Sequence, residues 1–148
     1  MVVVGRPATL LRVYRRAIAA IVVGAMLGVS VGVAQAAATR ASKTVAGVRF
    51  TLDEWADYVL ADKATQACAL LTKHGQAVWA KQNSSSTCVV ATKADYKFLK
   101  QYPTDAKAVR DYGNTQPVTL NGDTATVPKL AGGDRQLLYI DGVWYINS

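Results

Sequence analysis

Val118-Thr119-Leu120-Asn121-Gly122-Asp123-Thr124-Ala125-Thr126-Val127 is the stretch whose reading decides the fold. Two short runs of alternating β-formers flank Asn-Gly, the strongest short hairpin signal, because both residues tolerate positive φ. With Asn121 and Gly122 as the turn residues, Val118, Leu120, Ala125 and Val127 share one face, and Thr119, Thr124 and Thr126 the other. This hairpin is buried on one side only. Downstream, Gln136 to Ile140 and Val143 to Ile146 flank Asp141-Gly142 in the same way. Pairing across that turn puts Leu138, Ile140, Val143 and Tyr145 on one face and Leu137, Tyr139, Trp144 and Ile146 on the other. Both faces are apolar, so both need cover.

Upstream of Pro103 the apolar period is helical. Leu52, Trp55, Ala56, Val59 and Leu60 fall on one stripe. Thr51-Leu52-Asp53-Glu54 reads as a capping box, with Phe50 and Trp55 as its hydrophobic staple. A second helix is expected after Asp62, with Ala64, Ala67, Cys68 and Leu71 facing inward. Lys73-His74-Gly75 reads as its C-terminal end, and Gln76 to Lys81 as a short turn that buries Val78 and Trp79. A third helix is expected from Cys88, with Val90, Ala91, Ala94 and Phe98 buried, ending at Tyr102-Pro103. Ala106 to Tyr112 reads as a further strand without a fixed place in the sheet.

Cys68 and Cys88 are the only cysteines. They fall on neighbouring predicted helices and lack the C-x-x-C spacing of a reactive pair, so a structural disulfide is expected, as in an oxidising compartment. The N-terminus points the same way. Arg6, Arg12, Arg15 and Arg16 precede an uncharged run, and Ala34-Gln35-Ala36 supplies an A-x-A cleavage site, together a secretory signal peptide over residues 1–36. The alternative is an uncleaved membrane anchor, since the 23 residues from Ala17 to Thr39 carry no charge and about 20 suffice to cross a bilayer. Residues 37–48 then form a flexible lead-in, and 49–148 a single domain. The expected location is extracellular or the cell envelope, with a membrane partner only if the signal segment stays uncleaved.

Of the 17 basic residues four belong to the signal peptide, leaving 13 against 10 acidic ones, a balance of +3. These charges alternate with acids and apolar residues and form no basic track, which argues against nucleic acid. The single histidine, His74, makes a metal site or a histidine-based catalytic set hard to build. Asp53 and Asp57 lie one helical turn apart, but the helix dipole explains the first and solvent the second. No cofactor, metal ligand or catalytic residue is assigned.

The capped helix, the Ala-Cys-Ala-Leu-Leu-Thr segment with a second cysteine downstream, and the closing Asn-Gly-Asp-Thr-Ala-Thr-Val and Asp-Gly-Val-Trp-Tyr-Ile hairpins together resemble small exported proteins of the nuclear transport factor two-like superfamily, of actinobacterial type. The resemblance spans about Phe50 to Asn147. It implies an α+β fold in which three N-terminal helices pack on a curved antiparallel sheet as a cone around a hollow, and it explains the two apolar faces of the last hairpin. Enzymes of that fold place Asp, His or Tyr inside the cone. Tyr58 and Asp111 are the nearest polar candidates here, and neither matches a known acid/base pair. The expected function is therefore a secreted, non-catalytic module that binds a small apolar ligand or a protein partner, with a homodimer as one form of partner. Tyr58, Tyr139, Trp144 and Ile146 are its candidate pocket or interface residues. The competing expectation is a small-molecule isomerase or hydrolase that uses a carboxylate in the cone as general base.

Overall fold

The computed structural model describes residues 41–129 and 133–148, and the expected signal peptide lies outside them. Within Ala38–Ser148, which is one compact unit, five helices precede a four-stranded sheet. The helices are α1 (Val45–Leu60), α2 (Ala64–Ala69), α3 (Lys73–Gln82), α4 (Cys88–Gln101) and α5 (Pro103–Thr115). The strands are β1 (Thr119–Asn121), β2 (Thr124–Pro128), β3 (Asp134–Ile140) and β4 (Val143–Ile146). They pair antiparallel in the order β1-β2-β3-β4. The α+β class is thus as the sequence implies. The cone is not: the sheet is open, and five helices stand where three were expected.

Each departure has a local cause. Helix α1 starts six residues before Thr51, because the Thr44 hydroxyl accepts the Gly47 N–H and caps it. The apolar stripe simply runs back one more turn to the fully buried Val48. Thr51 is an interior residue whose hydroxyl donates to the Gly47 carbonyl at 3.1 Å. Part of the expected lead-in is therefore helix, and Ala41 and Ser42 are tied to the sheet: the Trp144 Nε1–H donates to the Ser42 carbonyl at 3.0 Å and the Tyr139 hydroxyl to the Ala41 carbonyl at 2.5 Å.

His74 opens a helix instead of closing one. The Thr72 hydroxyl accepts the Gly75 N–H at 2.9 Å and starts α3 there. Gly75 is required for close approach, since a Cβ at this position would lie 2.5 Å from the Ile146 carbonyl oxygen. In the same place Thr72 N–H donates to the Ile146 carbonyl and Ile146 N–H to that of Leu70, which stitches the segment before α3 to β4.

Helix α4 begins at Cys88, as read from the sequence, with the Thr87 hydroxyl as its cap. Its buried face is Cys88, Ala91, Thr92 and Leu99, whereas Val90 and Phe98 are about half exposed. The reason is the Cys68–Cys88 disulfide, with Cα atoms 6.0 Å apart, which turns the Cys88 side of the helix inward against α2. Thr92 fills the space beside it, its hydroxyl 3.6 Å from the Cys68 sulfur. The segment read as a strand, Ala106 to Tyr112, is helix α5. Pro103 suits a first helical position, where no N–H is needed. Arg49 of α1 donates from its guanidinium to the Gly113 and Gln116 carbonyls and so closes the far end of α5.

In the sheet, Leu120 pairs with Ala125 and Asn121 with Thr124, so the first turn is Gly122-Asp123, one residue later than expected, with Gly122 at φ 61°. The shift moves the pairing by two residues and leaves the face assignment unchanged, but Leu120, expected on the buried face, is exposed on the edge strand β1. The Asp141-Gly142 turn is as read, both residues having positive φ, and Tyr139 pairs with Trp144. Ala125, Val127, Leu137, Trp144 and Ile146 meet the helices and are buried. On the outer face Leu138, Val143 and Tyr145 are partly exposed and Ile140 is exposed. Among the described residues no helix is long and apolar enough to cross a membrane.

Candidate functional site

Strand alternation places one charged residue on the buried face of the sheet. Arg135 opposes Val127 and is two residues before Leu137, so its side chain enters the layer between sheet and helices. There its guanidinium carbon lies 4.8 Å from the ring centre of Trp55 on α1, 5.2 Å from that of Tyr112 on α5 and 5.8 Å from that of Trp79 on α3. The two indoles meet edge to face, with centres 5.4 Å apart. Three helices thus each contribute one aromatic ring to surround one cation.

The same four side chains line a pocket of about 250 Å³, together with Gln82, Val109 and Lys129. A niche of about 10 Å³, the size of a water molecule, adjoins it and adds Leu71, Gly75, Ile146 and Ser148 to the shared residues. Aromatic walls with a few polar groups are the usual make-up of a small-molecule site.

The polar groups of this pocket are not satisfied within the protein. Arg135 Nε, Trp79 Nε1 and the Tyr112 hydroxyl are buried and have no hydrogen-bond partner among the described residues. Nor does a carboxylate pair with Arg135 there. Its neighbour Asp134 is on the opposite, exposed face of β3. Burial draws the Arg135 guanidinium down from the ordinary arginine range, and Tyr112 partly offsets this. It stays a cation at neutral pH. Burial raises the Tyr112 phenol, Arg135 acting against and Asp134 with that shift. Tyr112 is therefore a neutral hydroxyl, able to donate and to accept.

The four residues singled out from the sequence do not assemble into one site. Ile146 borders the niche. Tyr139 and Trp144 touch, with ring centres 5.2 Å apart, but Trp144 is fully buried and both hold the segment ahead of α1. Tyr58 is on a separate open groove of about 430 Å³ with Asp57, Leu60, Ala61, Lys63 and Arg110, and its hydroxyl donates to Glu54. We give the smaller pocket precedence, because buried polar atoms without partners line it and none lines the groove.

Of the carboxylates considered as bases, Asp57 is exposed and Asp111 pairs with Lys107. Asp53 accepts from Asn114 at 3.0 Å, and burial raises its carboxyl. Asp95, between Ala91 and Leu99 on the inward stripe of α4, is pushed up to about 6 by burial. None of them lines the aromatic pocket.

Trp55, Trp79, Tyr112 and Arg135 were not brought together by the sequence reading, because each is on a different element. One signal was available. Extending the alternation Leu137-Tyr139 back by two residues puts a charge on an otherwise apolar face. The chain matches no family model, no curated protein and no solved structure.

Proposed function

We propose that the protein is a secreted, non-catalytic binding module that takes a small molecule into the pocket between Trp55, Trp79, Tyr112 and Arg135. The observation that carries this reading is the set of three buried, unpartnered polar atoms on side chains lining one aromatic pocket. Such atoms cost about 1–3 kcal/mol each when left without a partner, and a ligand that supplies partners recovers that cost. The disulfide supports an oxidising compartment. Of the nuclear transport factor two-like resemblance, only the coarse arrangement of helices on one face of an antiparallel sheet enters this reading. The enzyme reading is the weaker one, because the carboxylate with the strongest upward shift, Asp95, is away from the pocket.

The test uses the three tryptophans as reporters. In a nitrogen-15 spectrum of the mature chain, small aromatic probes are expected to shift the indole N–H signals of Trp55 and Trp79. Trp144, bonded to Ser42, serves as the internal control. If no probe of any charge moves Trp55 or Trp79, the pocket reading fails.

A further inference from the structure

We infer that the ligand is a planar apolar molecule bearing a carboxylate, with Arg135 as the anchor for the anion. This rests on the pocket reading above and adds the chemical class. The argument starts from charge. The Arg135 side chain is partly buried, and a charge drawn out of water is expected to be paired or hydrogen-bonded, yet among the described residues Arg135 has neither a carboxylate partner nor an acceptor for its buried Nε. Aromatic faces stabilise a cation, but they accept N–H groups only weakly and neutralise no charge. What this site lacks is an anion with oxygen lone pairs.

The other lining groups complement the same ligand. Tyr112 and Trp79, which also line the pocket, carry buried, unpartnered O–H and N–H donors that a side-chain rotation would bring to a carboxylate. Lys129 adds a second cation, and among the described residues no aspartate or glutamate lines the pocket. Trp55, Trp79 and Val109 offer the apolar surface that a flat ring system would cover. A cationic ligand would face Arg135 and Lys129, and a neutral one would leave the guanidinium as it is. The planar guanidinium also suits a carboxylate in particular, because it can donate two parallel hydrogen bonds to the two oxygens.

The experiment compares three isosteric probes on the full mature chain: 2-naphthoate, 2-naphthamide and 2-naphthylmethylammonium. Calorimetry gives the affinities, and the Trp55 and Trp79 indole signals give the location. Naphthoate is expected to bind at least tenfold more tightly than the amide, with the ammonium weakest. In Arg135→Met the preference for naphthoate over the amide is expected to fall to threefold or less. A second variant, Lys129→Gln, should retain the preference and reduce its dependence on salt. Equal binding of naphthoate and amide, with both shifting Trp55 and Trp79, overturns the anion class and leaves the pocket standing. Tighter binding of the ammonium overturns it too. No shift at either tryptophan with any probe removes the pocket reading and this inference together. If Arg135→Met does not fold, Arg135→Lys serves instead: it keeps the charge but not the planar fork, and is expected to lose at least fivefold for naphthoate and little for the amide. An unchanged naphthoate affinity in that variant contradicts the anchor.

Discussion

Arg135 holds its guanidinium carbon 4.8 Å from the ring centre of Trp55, in a strand position that every other buried neighbour on that face fills with an apolar or aromatic side chain. Cation–π contact contributes about 2 kcal/mol or more per ring to a desolvated cation, and three rings face Arg135, against an effective cost of several kcal/mol for desolvating an ion. The rings therefore offset much of that cost, but they supply no counter-charge.

The disulfide closes a 20-residue separation between α2 and α4. Removing it in the pair Cys68→Ala and Cys88→Ala should lower the unfolding free energy by about 3 kcal/mol, read from urea unfolding at neutral pH. Because the bridge is at the helical layer and not at the pocket, naphthoate affinity should change less than twofold at temperatures where the variant is folded.

Asp95 gives the protein a specific pH dependence. Its folded-state pKa of about 6 exceeds the ordinary carboxylate value of 3.8, so the folded chain binds the proton more tightly than the unfolded one. Its contribution is complete below pH 3.8 and is lost as pH rises through about 6. In Asp95→Asn the decline over that window should flatten, and stability at pH 7 should rise by about 1 kcal/mol, since part of the side chain reaches solvent and is screened. Asp53 shifts in the same direction and leaves a residual slope. Denaturant midpoints measured at pH 3.5, 5 and 7 check this. An unchanged slope would contradict it.

Gly75 is fixed by packing. Its Cβ would stand 2.5 Å from a backbone oxygen of β4, which cannot rotate away as a side chain would. Gly75→Ala should therefore destabilise by about 1–3 kcal/mol despite the better helix propensity of alanine. Thermal unfolding reads the effect. It should also loosen the niche beside the pocket, because Gly75 and Ile146 both border it.

The fold was legible where a short period met strong turn chemistry. Alternation and the two Gly-containing turns specified both hairpins, and face assignment survived the one-residue displacement of the Gly122 turn because pairing moved by an even number. Helix starts were less legible. Thr51 and Thr44 both have cap chemistry; the Thr44 hydroxyl is the one that accepts the Gly47 N–H, and Gly47, lacking a Cβ, can pass close to the Ser42 carbonyl. The buried face of α4 is set by a covalent bond to α2, which its own periodicity does not encode. The site was least legible. It draws one residue from each of three helices and one strand, and its central member is a charge that an apolar-pattern search discards.

The measurement closest to the central claim is the unfolding free energy of ligand-free Arg135→Met beside that of the unaltered chain. If Arg135 is retained for ligand binding, replacing an unpaired guanidinium by an apolar side chain of similar length should leave stability unchanged or raise it by about 1 kcal/mol, while the preference for naphthoate collapses. A loss of more than about 2 kcal/mol, with the preference intact, would show that Arg135 serves the fold and would contradict the account.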